Sequence, residues 1–142
     1  MATSPETVSS TLEYIEKSLM QVSDISGDIT KDIYSDYFKR CTGSETLMQF
    51  IEDRERGRMM TEVFRLLLEE DLQGQFDYLC FETKTHIAYG VEPVMYDNLF
   101  SAVFATVKTL LGSHWLPEFE AAWKQRISAL SQAVHAAQAV NA

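Results

Sequence analysis

His86 is the residue of this chain best placed to bind a metal. It stands near the end of the segment Phe76 to Tyr89, which reads as an irregular helical stretch stopped by Gly90, and Pro93 then starts a new helix. An imidazole at such a junction suits an axial metal ligand beside a cofactor pocket. One ring nitrogen binds the metal while the other donates its N–H to a nearby acceptor. The backbone carbonyl one turn back, at Glu82, is the expected acceptor, with Thr83 as a second candidate. Neither of the other two histidines is placed to face a pocket: His114 falls in a turn and His135 near a C-terminal end expected to fray. Cys41 and Cys80 have neither the spacing of a zinc site nor the number of a disulfide framework, and they read as small buried hydrophobes.

The elements that must position His86 follow from apolar periodicity. Ser4 caps a first helix with Pro5 in its first turn; Val8, Leu12, Ile15, Leu19 and Val22 form its inner face, and it ends before Gly27. Asp28 caps a second helix carrying Ile29, Ile33, Tyr34, Tyr37, Phe38 and Cys41 at helical spacing. A short helical turn opens at Ser44. The charged run Glu52 to Arg58 leads into a third long helix with the apolar stripe Met59, Met60, Val63, Phe64, Leu67 and Leu68. Asp71 to Gln75 is a turn. Pro93 opens a strongly apolar helix closed by Gly112, and Pro117 opens the last, with Phe119, Trp123, Ile127, Leu130 and Val134 inward. The short Gly112 turn requires those two helices to pack as an antiparallel pair. No segment alternates as a strand does, so the expected fold is all-α with six or seven helices.

Composition bounds the function. A chain of 142 residues fits one domain, 1–142, and 46% hydrophobic residues supply a core. Three Pro and six Gly favour long helices. With 12 basic against 21 acidic residues the formal charge is −9, which disfavours nucleic acid and anionic membranes as partners. No apolar run reaches the ~20 residues that span a bilayer, and the N-terminus lacks a signal pattern. A cytoplasmic location is the expectation.

These features, in this chain order, resemble a globin. After His86 come Val91, Pro93 and Tyr96, a His-x(4)-Val-x-Pro-x-x-Tyr pattern similar to that of bacterial single-domain globins and the globin domains of flavohaemoglobins; Ala122-Trp123 in the last helix extends it. Tyr34-Ser35-Asp36-Tyr37-Phe38 looks like the tyrosine segment of the second globin helix. Arg56-Gly57-Arg58-Met59-Met60 looks like the start of the distal helix, where a small residue lets two helices cross closely. The resemblance spans essentially the whole chain.

It implies a globin fold around haem b, with His86 as the proximal iron ligand and O2, CO or NO as diatomic ligands. Tyr34 is the candidate donor to bound O2, with Tyr37 or Phe38 the alternatives nearer the haem. No Gln or His lies between Asp53 and Phe64, a departure from the usual distal pair, so Met59, Met60 or Val63 lines the distal face, with Phe64 beyond. Met48 and Phe50 compete for the place of the phenylalanine that wedges the haem: Met48 fits by spacing from Tyr34 and Phe50 by chemistry. Val91 and Tyr96 belong to the proximal side, and Arg54, Arg56 and Arg58 are candidates for the haem propionates. The proximal network of flavohaemoglobins needs a late glutamate. Here Gln138 stands near that place and no Glu follows Glu120, which weakens any peroxidase-like activity.

Three functions remain open. The first is reversible O2 binding for storage, delivery or sensing. The second is nitric oxide dioxygenation with an external reductase, since the chain has no Gly-rich dinucleotide motif. The third is a helical interaction module without haem.

Overall fold

The computed structural model describes residues 5–141, with side chains described from Val8 onward. The expected cap at Ser4 lies outside them. Seven α-helices follow one another: α1 (Pro5–Ser26), α2 (Thr30–Arg40), α3 (Ser44–Met48), α4 (Asp53–Leu67), α5 (Phe76–Ala88), α6 (Pro93–Leu111) and α7 (Pro117–Val140). Short 3₁₀ turns at Gln73–Gln75 and Gly112–His114 precede α5 and α7. The described residues contain no strand, and the fold is all-α. No helix among them is long and apolar enough to cross a membrane.

The boundaries have local causes. Gly27 leaves α1 at φ +69° and Gly112 closes α6 at φ +53°, conformations that L side chains rarely adopt. Pro93 and Pro117 each occupy a first helical turn, where a missing N–H costs nothing. The expected cap at Asp28 lies one residue early, since Ile29 holds the N-cap position with no side-chain bond; Asp28 Oδ1 closes the turn before it, accepting from the Thr30 N–H at 2.9 Å and the Thr30 hydroxyl at 2.7 Å. Those bonds hold the Asp28 carboxyl below its usual pKa. The helix itself begins two residues on, at Thr30.

Two expectations need correction. Phe76 to Tyr89 is not irregular, because a regular helix runs from Phe76 to Ala88. Its exposed Phe81 and Tyr89 blur the amphipathic period that marks a helix in sequence. Nor does the chain fray at His135: α7 continues to Val140, and His135 Nε2 lies 2.9 Å from Asp97 Oδ1 on α6.

The core gathers Ile15, Ile33, Met60, Leu67, Val103, Phe119, Trp123 and Leu130, all essentially inaccessible to solvent. α6 and α7 pack antiparallel, as Phe104 meets Trp123 at 6.1 Å between ring centroids and Lys108 pairs with Glu120 at 2.6 Å. α1 packs on both, and the buried Trp123 indole donates to the Ser18 hydroxyl at 2.9 Å. α2 crosses α6, while α5 packs on α7. Arg126 is buried yet has no acidic partner within salt-bridge distance. Its guanidinium donates instead to the carbonyls of Leu67 at 2.7 Å, Leu66 at 3.0 Å and Glu69, at and just past the end of α4, where helical carbonyls lack their next partners; the Leu66 carbonyl also accepts from the Glu69 N–H at 3.3 Å. Cys41 is buried and Cys80 half-buried, both as free thiols.

Candidate functional site

A cavity of about 380 Å³ lies between α4 and α5 and is closed by residues of α2, α6 and α7. Its size falls within the range of about 300–1,000 Å³ usual for small-molecule sites. Helical spacing makes both walls. α5 contributes Leu79, Glu82, Thr83 and His86, and α4 contributes Met59, Glu62, Val63 and Leu66, in each case at steps of three and four residues. Leu99, Phe100 and Val134 add apolar surface, and Tyr34 and Tyr96 face the same space.

His86 is fixed by its own helix. Nδ1 lies 2.6 Å from the Glu82 carbonyl oxygen, which can only accept, so Nδ1 carries the proton and Nε2 keeps the free lone pair. Thr83, the other candidate, donates its hydroxyl to the Leu79 carbonyl at 2.7 Å instead. The sequence around His86 also has a backbone reason. Gly90 at φ +90° ends the helix, the Gly90 N–H reaches the Ile87 carbonyl at 2.9 Å, and the Val91 N–H reaches the carbonyl of His86 itself at 3.1 Å. This paired closure demands a residue free to adopt positive φ four positions after His86 and sets Val91 in place one residue later. Tyr96, two turns of chain further, meets the His86 ring edge-on at 6.0 Å. Its hydroxyl is buried without a partner, and burial pushes its pKa above the ordinary phenol value.

The remaining sequence-derived candidates divide. Tyr34, Met59, Val63 and Tyr96 join His86 at the cavity. Met60 is fully buried and Met48 buried, both away from the cavity lining; Phe64, Phe38 and Val91 are half-buried outside it. Phe50 is 89% exposed, so the structure places it in solvent rather than against any pocket. Gly57 does not serve a close helix crossing, because a Cβ built there meets nothing within 4 Å.

The Tyr34 hydroxyl donates to the Arg56 carbonyl at 3.2 Å, and burial raises its pKa to about 12 against the opposing charge of Arg56. It stays a neutral phenol whose proton is engaged with α4. Arg56 itself turns away from the cavity: its guanidinium covers the Phe38 ring at 5.2 Å and donates to the Met48 carbonyl at 2.8 Å. Arg54 lies on an outer depression, whereas Arg58 borders both that depression and the cavity. Arg58 pairs with Glu55 through its Nε at 3.1 Å.

Periodicity contained more of the site than the named candidates. Glu82, Thr83 and Leu79 stand four, three and seven residues before His86, and Leu99 and Phe100 three and four after Tyr96. Helical spacing from the two anchors therefore finds them. The polar rim carries no such signal. Glu62 Oε1 accepts from the Tyr78 hydroxyl at 2.6 Å and from Arg65 Nε at 2.8 Å, bonds that hold its carboxyl below the usual range.

Among the described residues, no three His, Cys, Asp or Glu side chains gather as a metal-binding cluster. His86 is thus a single imidazole facing a mostly apolar slot, a donor set suited to a metal that brings its remaining ligands with it. No family model matches the chain, and no curated protein matches it significantly.

Proposed function

We propose that this chain is a globin-type protein that binds haem b in the α4–α5 cavity through His86 and reversibly binds O2 there, for storage, delivery or sensing. The observation that carries this reading is the fixed tautomer of His86 at an apolar cavity: Nδ1–H is held by the Glu82 carbonyl, and Nε2 is the nitrogen left to ligate. The haem supplies an iron with a coordination position open to a diatomic gas.

The chain supplies everything else. The Glu82 carbonyl orients the imidazole and fixes which nitrogen faces the cavity, as outer partners of ligating histidines do. Met59, Val63, Leu66, Leu99 and Phe100 keep the slot apolar and limit water. Arg58 is the guanidinium on the cavity lining, among Glu62 and Glu82, and would meet the cofactor's carboxylates by leaving its pair with Glu55. Tyr34 is the polar group on α2 that borders the slot. It becomes a donor into it when its hydroxyl leaves the Arg56 carbonyl.

The test is replacement of the ligand. His86→Ala is expected to lose stable haem uptake, by more than the about 10–100-fold that loss of an outer partner costs a metal site, and added imidazole is expected to restore it. Equal haem affinity and an equal ferrous spectrum in parent and variant would overturn the assignment.

A further inference from the structure

The helix that carries His86 packs chiefly on α7, with one bond from Tyr78 to Glu62 of α4 near its start. α5 turns His86 and Thr83 toward the cavity, exposes Phe81, Ile87 and Tyr89, and packs against α7. At the end of α7, just past its last helical residue, the side-chain amide of Asn141 reaches across to α5. Nδ2 lies 2.9 Å from the Cys80 carbonyl and 3.1 Å from the Thr83 hydroxyl oxygen. Thr83 is 1% exposed and passes its own proton to the Leu79 carbonyl at 2.7 Å. One amide thus grips α5 three and six residues before His86, through half-buried bonds that lead to the buried Thr83 hydroxyl. A second tie lies on the other side of His86, where Gln138 Nε2 approaches the Val91 carbonyl at 3.5 Å.

We infer that Asn141 is a positioning residue for His86: its bonds to Cys80 and Thr83 fix the depth at which α5 presents the imidazole to the cavity. The inference rests on the haem reading for its functional meaning, but the tie itself is a property of the polypeptide. Asn is suited to it because one NH2 group donates to two acceptors at once. Leu, of similar size, donates to neither, and Val at position 83 keeps the shape of Thr without its hydroxyl.

Amide hydrogen exchange and ring NMR signals of His86 in the haem-free protein test the tie. Loss of two such bonds is expected to speed exchange of the α5 amides by about tenfold in Asn141→Leu, and to shift the His86 ring signals, while core amides of α1 and α6 keep their protection. Thr83→Val is expected to reproduce part of the change, and the double variant to fall short of the sum of the two. Gln132→Ala on the exposed face of α7 is the control. In haem-loaded protein the iron–histidine stretching band is expected to move or broaden in Asn141→Leu and not in the control. Unchanged α5 exchange and His86 signals, or equal acceleration in every helix, would overturn the inference. Failure of the parent to take up haem would instead defeat the reading of function, and the exchange measurement would still decide whether Asn141 holds the helix.

Discussion

The α4 wall of the cavity is anchored by guanidinium groups near both of its ends, whereas the α5 wall has a charge-assisted tie at its start, from Tyr78 to Glu62, and toward His86 rests on α7 and the Asn141 amide. Arg56, in the first turns of α4, binds the Met48 carbonyl and covers Phe38, and Arg126 of α7 donates to the Leu66 and Leu67 carbonyls at its other end. α5 is tied to α4 near its start, where the Tyr78 hydroxyl donates to the Glu62 carboxylate at 2.6 Å and the Arg65 guanidinium lies 4.9 Å from the Tyr78 ring; toward His86 its fixed points are the Gly90 closure and the Asn141 bonds. A helix end clamped by charge-assisted bonds resists displacement, and the end of α5 that carries His86, held by a few neutral bonds, shifts at smaller cost. The histidine stands on the second wall and Tyr34 bonds to the first. A small movement of α5 therefore changes the distance between them.

Breaking the stronger wall should have the largest effect on stability. Arg126→Met removes the guanidinium from three carbonyls at and just past the end of α4 and leaves the buried Leu67 carbonyl without its side-chain donor. We expect a loss of about 3 kcal/mol or more in denaturant unfolding, with α4 losing exchange protection first. A loss under about 1 kcal/mol would show that water replaces the guanidinium and that the two walls do not differ in the way described.

Tyr34→Phe tests the side chain that links α2 to that wall. A hydrogen bond to a charged group is worth about 1.5–3 kcal/mol, and the hydroxyl must first give up the Arg56 carbonyl, a bond worth about 1 kcal/mol. In haem-loaded protein the remaining about 0.5–2 kcal/mol is expected to quicken O2 release by between about twofold and thirtyfold, with CO release less affected. Equal O2 release in both proteins would leave Tyr34 as a strut between α2 and α4.

The difference between the walls also explains what could be read in the sequence. The His86–Val91–Pro93–Tyr96 pattern is local: a helix end, a positive-φ glycine and a proline start lie within eleven residues, and each type has one backbone use there. The boundaries of α6 and the apolar faces of α1, α2 and α7 were legible for the same reason. Arg126 contacts carbonyls about 60 residues away, and Asn141 reaches α5 from beyond the end of α7. No periodicity or spacing encodes such contacts. Phe50 looked suited to a pocket by chemistry alone, yet it follows the short α3 on a turn that points it into solvent. Gly57 looked like a crossing point because its size suits one, but no neighbouring helix comes near enough to need it.

Two smaller effects sharpen the picture of how the first wall is built. Asp28→Ala should cost about 1 kcal/mol at neutral pH, as loss of a side-chain bond at a helix start does, less some screening at this exposed site. The Asp28 carboxyl has a depressed pKa, so its contribution is fully present above the ordinary aspartate value of about 3.9. It is lost as pH falls through the folded value. Urea unfolding of parent and variant should converge in acid, and a difference that persists unchanged there would exclude the carboxylate as its source. Gly57→Ala, with ordinary helical backbone and open space at Cβ, should raise stability by about 0.5–1 kcal/mol. A drop in thermal midpoint would mean that α2 and α4 approach more closely than this.

The most direct test of the central claim is the absorption spectrum of the purified protein titrated with haemin, recorded in the ferric, ferrous and CO-bound forms. Binding through His86 in an apolar slot predicts saturation at one haem per chain, a Soret band displaced from that of free haemin, and a ferrous–CO spectrum typical of histidine ligation that His86→Ala does not give. A titration that never saturates, or one whose spectra are the same without His86, would contradict it.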